Sequence, residues 1–268
     1  MKSIAFAILL LVSGGRDALA GTLIETEARG LGSDPLPTRR GVMNLEADRM
    51  RLDVSEVSSA IIYRGDLDRV WILDHRNRSF VRIDRTTMEE LSRRMAEAKA
   101  ELRARLATLS PEQRASMEAV LGKTADPESE KSVGISVRET GGTHRLNDVA
   151  CAEAELRRGE EVIAVACTAD WASVEVEPET FRPLRELGSF LQQTLSVAPV
   201  LPDNSIRPVE FDALDAIGRL DGVPLRIQLF DDGAPIREIR ATSIEQRSFP
   251  GEIFEIPAGY QQKVLPFP

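Results

Sequence analysis

Hydrophobic and polar positions follow two different periods along this chain, and the change of period divides it. Between Leu23 and Ile83 the apolar residues come in short runs of period two, the spacing of strands. Leu23–Ala28 reads as a first strand, and Gly30, Gly32, Pro35 and Pro37 mark the loop behind it. Met50, Leu52 and Val54 then alternate with Arg49, Arg51 and Asp53, which predicts a half-buried strand with one face wet. Ala60–Tyr63, Val70–Leu73 and Phe80–Ile83 follow, joined by polar connections at 64–69 and 75–78. Short strands on short turns predict an antiparallel meander.

From Thr86 the period becomes helical. Met88, Leu91, Met95, Ala98, Leu102, Leu106 and Leu109 fall within an arc of roughly 80°, and the opposite face carries Glu89, Glu90, Arg93, Arg94, Glu97, Glu101 and Arg105. Thr86 with Glu89 three residues on is a capping box, so the spacing predicts a helix of about 24 residues, some 36 Å long, ending at Leu109. Ser110-Pro111-Glu112-Gln113 starts a second, shorter helix with Met117, Val120 and Leu121 on its apolar side, closed by Gly122. The helical insert thus runs 86–122. Its stripe is narrow. A filled core and a cavity beneath it leave the same pattern in sequence.

Period two returns at Val133–Glu139 and continues through a hairpin ending at Trp171. Pro178 or Pro183 opens a further helix with Phe181, Leu184, Leu187, Phe190, Leu191 and Leu195 on one side. Pro199, Pro202 and Pro208 interrupt the chain. Leu225–Phe230, the Asp231-Asp232-Gly233 turn and Ile236–Ile244 make a last hairpin, and Phe254-Glu255-Ile256-Pro257 is expected to close the sheet. The expected fold is one α+β domain over 21–268: a curved antiparallel sheet, with the insert and the further helix packed on one face.

Residues 1–20 stand apart from it. Lys2, the apolar run Ile4–Val12 and Ala18-Leu19-Ala20 have the layout of a cleavable secretory signal, and the run is too short to span a membrane. No cysteine stands near Gly21 to take a lipid anchor. Periplasmic or secreted localisation follows as an expectation. The chain carries a net charge of −9, and loss of Lys2, Arg16 and Asp17 (two bases, one acid) makes it −10. Nucleic acid and anionic membrane surfaces both reward a basic face, so neither is an expected partner. Nor is any later stretch apolar enough to cross a membrane.

The two cysteines, Cys151 and Cys167, flank a hairpin turning at Arg158-Gly159-Glu160. A three-residue turn centred on Gly159 sets them opposite each other, whereas a two-residue Arg158-Gly159 turn would place them on opposite faces. In an oxidising compartment the first arrangement favours a disulfide; the alternative is a pair of buried free thiols.

Catalytic motifs are missing from the sequence. His75 and His144 are expected as exposed turn residues outside any metal-ligand spacing, and no nucleophile elbow, phosphate loop or dinucleotide fingerprint occurs. Asp212, Asp215 and Asp221 are too widely spaced for a calcium loop. No cofactor, metal or enzymatic activity is expected. Met88, Met95 and Met117 are the more suggestive feature, because flexible methionine suits a surface that receives irregular apolar chains. Trp71 and Trp171 fall at sheet positions and read as core residues.

Several stretches in order resemble a family of secreted bacterial proteins known only by a domain-of-unknown-function label. They are Asp48-Arg49-Met50-Arg51 with Asp53, Ile61-Ile62-Tyr63-Arg64-Gly65, and Val70-Trp71-Ile72-Leu73-Asp74 leading to Phe80. Asn147 before Cys151, Thr168 with Asp170-Trp171, Leu220-Asp221-Gly222 with Pro224, and Phe254–Tyr260 also fit. More distantly, Trp71-Ile72-Leu73-Asp74 and its hairpin are similar to a segment of the LolA-like periplasmic lipoprotein carriers. That resemblance implies an incomplete β-barrel with a helical lid over a hydrophobic cavity. On it, an acyl chain or lipoprotein segment would lie between Met88, Leu91, Met95 and Leu102 of the insert and Trp71 of the sheet. The long charged insert and Cys167 depart from the carriers, and no arginine here matches their lid-locking one. The competing expectation is a non-catalytic interaction or structural protein of the envelope with a filled core.

Overall fold

A computed structural model of the chain describes residues 21–31, 37–108, 110, 134–195 and 216–263. The signal-like segment 1–20, the second helix of the insert from Pro111 to Gly122, and the prolines at 199, 202 and 208 lie outside the described residues, as do Asp212 and Asp215.

Twelve strands form one open sheet. The first half contributes β1 (Gly21–Gly30), β2 (Arg39–Glu46), β3 (Arg49–Val54), β4 (Ser59–Arg64), β5 (Arg69–Asp74) and β6 (Ser79–Asp84). Two of its turns are built alike: three-residue 3-10 turns at Ser55–Val57 and Gly65–Leu67 each end on a left-handed residue, Ser58 and Asp68. The second half contributes β7 (Ile135–Leu146), β8 (Val149–Arg158), β9 (Glu161–Ala169), β10 (Val223–Asp231), β11 (Ala234–Arg247) and β12 (Gln261–Lys263). The order is β12-β6-β5-β4-β3-β2-β1-β11-β10-β9-β8-β7, so the β1–β11 pair joins two meanders and the sheet does not close into a barrel. Bulges interrupt the β1–β11, β10–β11, β9–β10, β8–β9 and β7–β8 ladders, the usual source of bend and added twist. Every pair is antiparallel except β12 with β6. The expected closing strand at Phe254–Pro257 is instead a 3-10 turn (Gly251–Phe254) and an extended crossing. Its apolar residues lie across the sheet, and only Gln261–Lys263 pair with it.

The insert begins with α1 (Arg85–Thr108), as long as expected but started by a different residue. Asp84 is the cap: its Oδ1 accepts from the Thr87 N–H at 3.0 Å and from the Thr87 hydroxyl at 2.8 Å. Thr86 has no such role because β6 ends on Asp84 and the helix follows without a gap. Burial by itself pushes the Asp84 carboxyl up, but the Thr87 bonds and the Arg82 and Arg69 guanidiniums outweigh it and hold it below the ordinary aspartate value. The polar face is laced by Glu90–Arg94, Arg93–Glu97 and Glu101–Arg105 pairs at 2.6 Å, each four residues apart. Ala98, on the expected stripe, is exposed and Leu106 is half-buried.

The other helix, α2 (Arg182–Leu195), continues a 3-10 turn at Pro178–Phe181, so both candidate prolines sit at its start. Leu184 and Leu187 are buried with Phe181 and Val176 against the first-half sheet. The expectation of a large curved antiparallel sheet with a helix on one face holds.

Cys151 and Cys167 are bonded, with Cα atoms 5.3 Å apart, and both are buried. The hairpin reaches this by a different register from the expected one. Its turn is the two-residue Gly159-Glu160, and Glu153 rather than Cys151 faces Cys167. A two-residue turn alone would put the cysteines on opposite faces. The extra residue Ile163, bulged between Val162 and Ala164, restores the parity.

Replacing Asp84 with Ala should lower stability by about 0.5–2 kcal/mol. Because the folded-state carboxyl is depressed, its contribution is present above the ordinary value of about 3.9 and lost as pH falls through the folded one. Denaturant melts at neutral pH and in acid should therefore show the difference from the parent vanishing in acid. Exchanging Cys151 and Cys167 together for Ala should cost about 2–4 kcal/mol, for a closed loop of this length. A melt of the double variant checks it.

Candidate functional site

The register of the first six strands aligns their side chains into rows. On the face toward α2, one row runs Leu45, Met50, Tyr63, Val70, Ile83, all buried under Phe181, Leu184 and Leu187. The adjacent row runs Met43, Leu52, Ile61, Ile72, Val81. These five side chains are half-buried, packed on the first row and still reached by solvent. Five strands at about 4.8 Å spacing make the row about 19 Å long. Every residue in it is apolar, and no charged group interrupts it.

Beside Tyr63, in the middle of the buried row, a cleft of about 300 Å³ opens between α2 and the β4–β5 turn, lined by Tyr63, Asp68, Arg185, Glu186, Ser189 and Phe190. The Tyr63 hydroxyl donates to Glu186 Oε2 at 3.3 Å, and Arg182 lies 3.6 Å from Glu186 Oε1. Burial first, then the Glu186 charge and hydrogen bond, push the Tyr63 phenol far above its ordinary value. Gly65 lets the two elements meet, since a Cβ there would lie 2.8 Å from Glu186 Oε2 and 3.0 Å from the Asp48 carbonyl.

The opposite face of the same strands is also covered. Ala60, Ile62, Trp71 and Leu73 are buried beneath Phe254, with Phe80, Phe249, Ile253, Ile256 and Tyr260 around them. The chain from Phe249 to Tyr260 acts as a strap. Arg49 stacks on Phe254 at 4.6 Å, Arg51 donates to the Ile253 carbonyl at 3.0 Å, and Arg64 bonds Glu255 and Asp66. The face expected to be wet, that of Arg49, Arg51 and Asp53, is thus held under the strap. His75 Nδ1 is 2.6 Å from the Tyr260 hydroxyl and its Nε2 is 3.6 Å from Asp53, so this turn histidine ties the strap to the sheet. At the strap's edge a second cleft opens beside Asn44, Arg51, Arg247 and Phe249. His144 meets Glu153 at 3.1 Å. Among the described residues no group of three or more His, Cys, Asp or Glu is placed to hold a metal ion.

The residues singled out by sequence separate accordingly. Trp71 is 5% exposed in the layer under the strap, on the sheet face turned away from α2, and lines neither the cleft at Tyr63 nor the one at the strap's edge. Met88, Leu91, Met95 and Leu102 belong to α1, and their side chains lie outside the described residues. The half-buried row, the Tyr63–Glu186 pair and the His75–Tyr260 link were not singled out. The row had a signal, because Ile61 and Ile72 sit inside runs too apolar for a sheet with one wet face. The two pairings join residues 123 and 185 positions apart and left none.

No protein-family model matches the chain, and no curated protein matches it in sequence. Among solved structures it is similar to an uncharacterized conserved protein from Thermus thermophilus, at 8% identity and TM-score 0.44 over 90% of each chain. It is also similar to a LolA superfamily protein from Nitrosomonas europaea, at 10% identity and TM-score 0.31 over 89% of this chain and 91% of that one. A DUF1329 family protein from Desulfovibrio piger compares at 10% identity and TM-score 0.30 over 90% and 91%. LolA-superfamily and unknown-function proteins therefore stand among its structural neighbours, as the sequence resemblance implied. Likenesses this distant carry no argument about function.

The chain has only two tyrosines, so Tyr63 can be followed by alkaline difference spectroscopy. Its raised folded-state value makes a stabilising contribution that is complete below about pH 10 and lost as pH rises through the folded value. Tyr63→Phe should flatten the alkaline fall in stability, and Glu186→Gln should bring the Tyr63 titration part of the way back toward normal.

Proposed function

We propose that this protein is a non-catalytic carrier of the bacterial periplasm, holding an acyl chain or the acylated end of a lipoprotein on the α2 face of its sheet. The observation that supports this is the row Met43, Leu52, Ile61, Ile72, Val81. It is long, unbroken and apolar, it lies beside the row that is buried under the helix, and it is itself left half-buried. Its length of about 19 Å suits a single extended acyl chain. Apolar strips left partly open to solvent mark candidate binding surfaces. The charged cleft at Tyr63 and Glu186 would face whatever polar group the chain carries. The bonded cysteines fit an extracytoplasmic location. The signal-like first twenty residues support the periplasm within it. Among the described residues no helix is long and apolar enough to cross a membrane.

Exchanging Ile61 and Ile72 together for Ala tests the reading. A fully buried pair would lose about 2–5 kcal/mol per residue, as Leu73→Ala should on the strap face. A ligand-facing pair should lose under about half of that and bind a fluorescent fatty-acid probe at least about tenfold more weakly. Mass spectrometry of protein purified from its own envelope should find a co-purifying lipid. Absence of lipid together with no saturable probe binding would leave an interaction protein with a filled core.

A further inference from the structure

We propose a second site on the strap face: a cleft that binds a small organic anion, a carboxylate or phosphate monoester borne on an apolar body. The cleft lies where the chain leaves β11 and turns over β2 and β3. Its volume is about 550 Å³, within the range of small-molecule sites.

Its charges are unequal in a specific way. Arg51 and Asp53 form a closed pair, Nε to Oδ2 and Nη2 to Oδ1 both at 2.7 Å, and the third guanidinium nitrogen is spent on the Ile253 carbonyl. That pair is neutral and satisfied. Arg247 is different: it is exposed on the rim, and among the described residues no carboxylate pairs with it. The cleft therefore carries one uncompensated positive charge, on a side chain whose fork of N–H donors fits an oxyanion.

Deeper in the same cleft, Asn44 is only 9% exposed, and among the described residues its amide has no hydrogen-bond partner. The amide opens onto the cleft and is not sealed within the sheet, so it is free to bond a guest there. Ser248 adds a hydroxyl, and Phe249 adds an apolar wall. Phe249 is seated there because position 21 is glycine, where a Cβ would come within 2.5 Å of the ring. One guanidinium, one open amide and one hydroxyl around an aromatic wall describe an oxyanion head with an apolar body. This site is on the sheet face opposite the proposed acyl row, and either can fail without the other.

The test uses the full chain, with amide chemical shifts followed during titration with hydrocinnamate, phenyl phosphate, inorganic phosphate and the uncharged hydrocinnamamide. One or both organic anions should shift Asn44, Ser248 and Phe249 saturably, and the preferred one names the head group. Arg247→Ala, an exposed position where the fold is not at stake, should weaken binding about tenfold or more. Asn44→Leu should lose affinity, because it removes the amide that opens onto the cleft. The Ile61 and Ile72 double variant should bind as the parent does. Equal binding of hydrocinnamamide, unchanged affinity in Arg247→Ala, or inorganic phosphate binding as tightly as phenyl phosphate would each overturn the proposal, as would no saturable shift with any anion.

Discussion

The fold depends on one constraint: strands β4 and β5 are apolar on both faces. Ala60-Ile61-Ile62-Tyr63 and Val70-Trp71-Ile72-Leu73 are unbroken apolar runs, and successive side chains of a strand point to opposite sides. A sheet with such strands in its interior needs two covers, and antiparallel topology supplies no crossover helices to provide them. Here the covers come from distant parts of the chain. The α2 helix buries Tyr63 and Val70, and the strap buries Ile62, Trp71 and Leu73. The pairings Ile62↔Trp71 and Tyr63↔Val70 tie the two covers to one register. A slip by one residue would turn both apolar sets over at once.

That constraint also explains which parts of the structure were legible in the sequence. Strands β1, β3 to β6, β10 and β11 and helix α1 announce themselves locally, and their ends fell within a few residues of expectation, whereas β2 was not expected as a separate strand and β7 runs seven residues past its expected end. What failed was nonlocal. Asp84-x-x-Thr87 and Thr86-x-x-Glu89 are both sound starts, and only the end of β6 decides between them. Phe254-Glu255-Ile256-Pro257 reads as a strand because it alternates, yet its partner is a sheet face and not a sheet edge. The Cys151–Cys167 register turns on Ile163, a bulged residue that looks like any other in an apolar run. Of the site, the Tyr63–Glu186 pair and the strap cleft join residues more than a hundred positions apart, and no spacing rule reaches that far.

The arginines show why an alternating strand need not have a wet face. Arg49 stands opposite Arg64, and Arg64 opposite Arg69, an arrangement of like charges that destabilises a sheet on its own. Each is answered: Arg49 by Glu46, Arg64 by Asp66 and Glu255, Arg69 by Asp84. Hydrogen bonds from Arg64 hold the Asp66 carboxyl below its usual range, and the same contacts push the Arg64 guanidinium up. The heads of Arg49 and Arg64 meet the strap at Phe254 and Glu255, so residues that alternate as solvent-facing in sequence form part of a covered interface.

The two covers differ in how completely they close, and the difference favours the α2 face for an extended apolar ligand. Rows on one face of a sheet are two residues apart, about 6.8 Å. A helix with its side chains is about 10–12 Å across, enough for one row and part of the next. Seated on the Leu45–Ile83 row, α2 leaves the Met43–Val81 row half-covered as a matter of width. The strap has no such limit, because an extended chain follows the surface and is anchored at several points by Arg49, Arg51, Arg64 and His75. Its layer is consequently filled, with Phe254 fully buried, and the cleft left at its edge carries the charged side chains of Arg51, Asp53 and Arg247. On the proposed reading, an apolar guest would lie beside the helix and a charged one beside the strap.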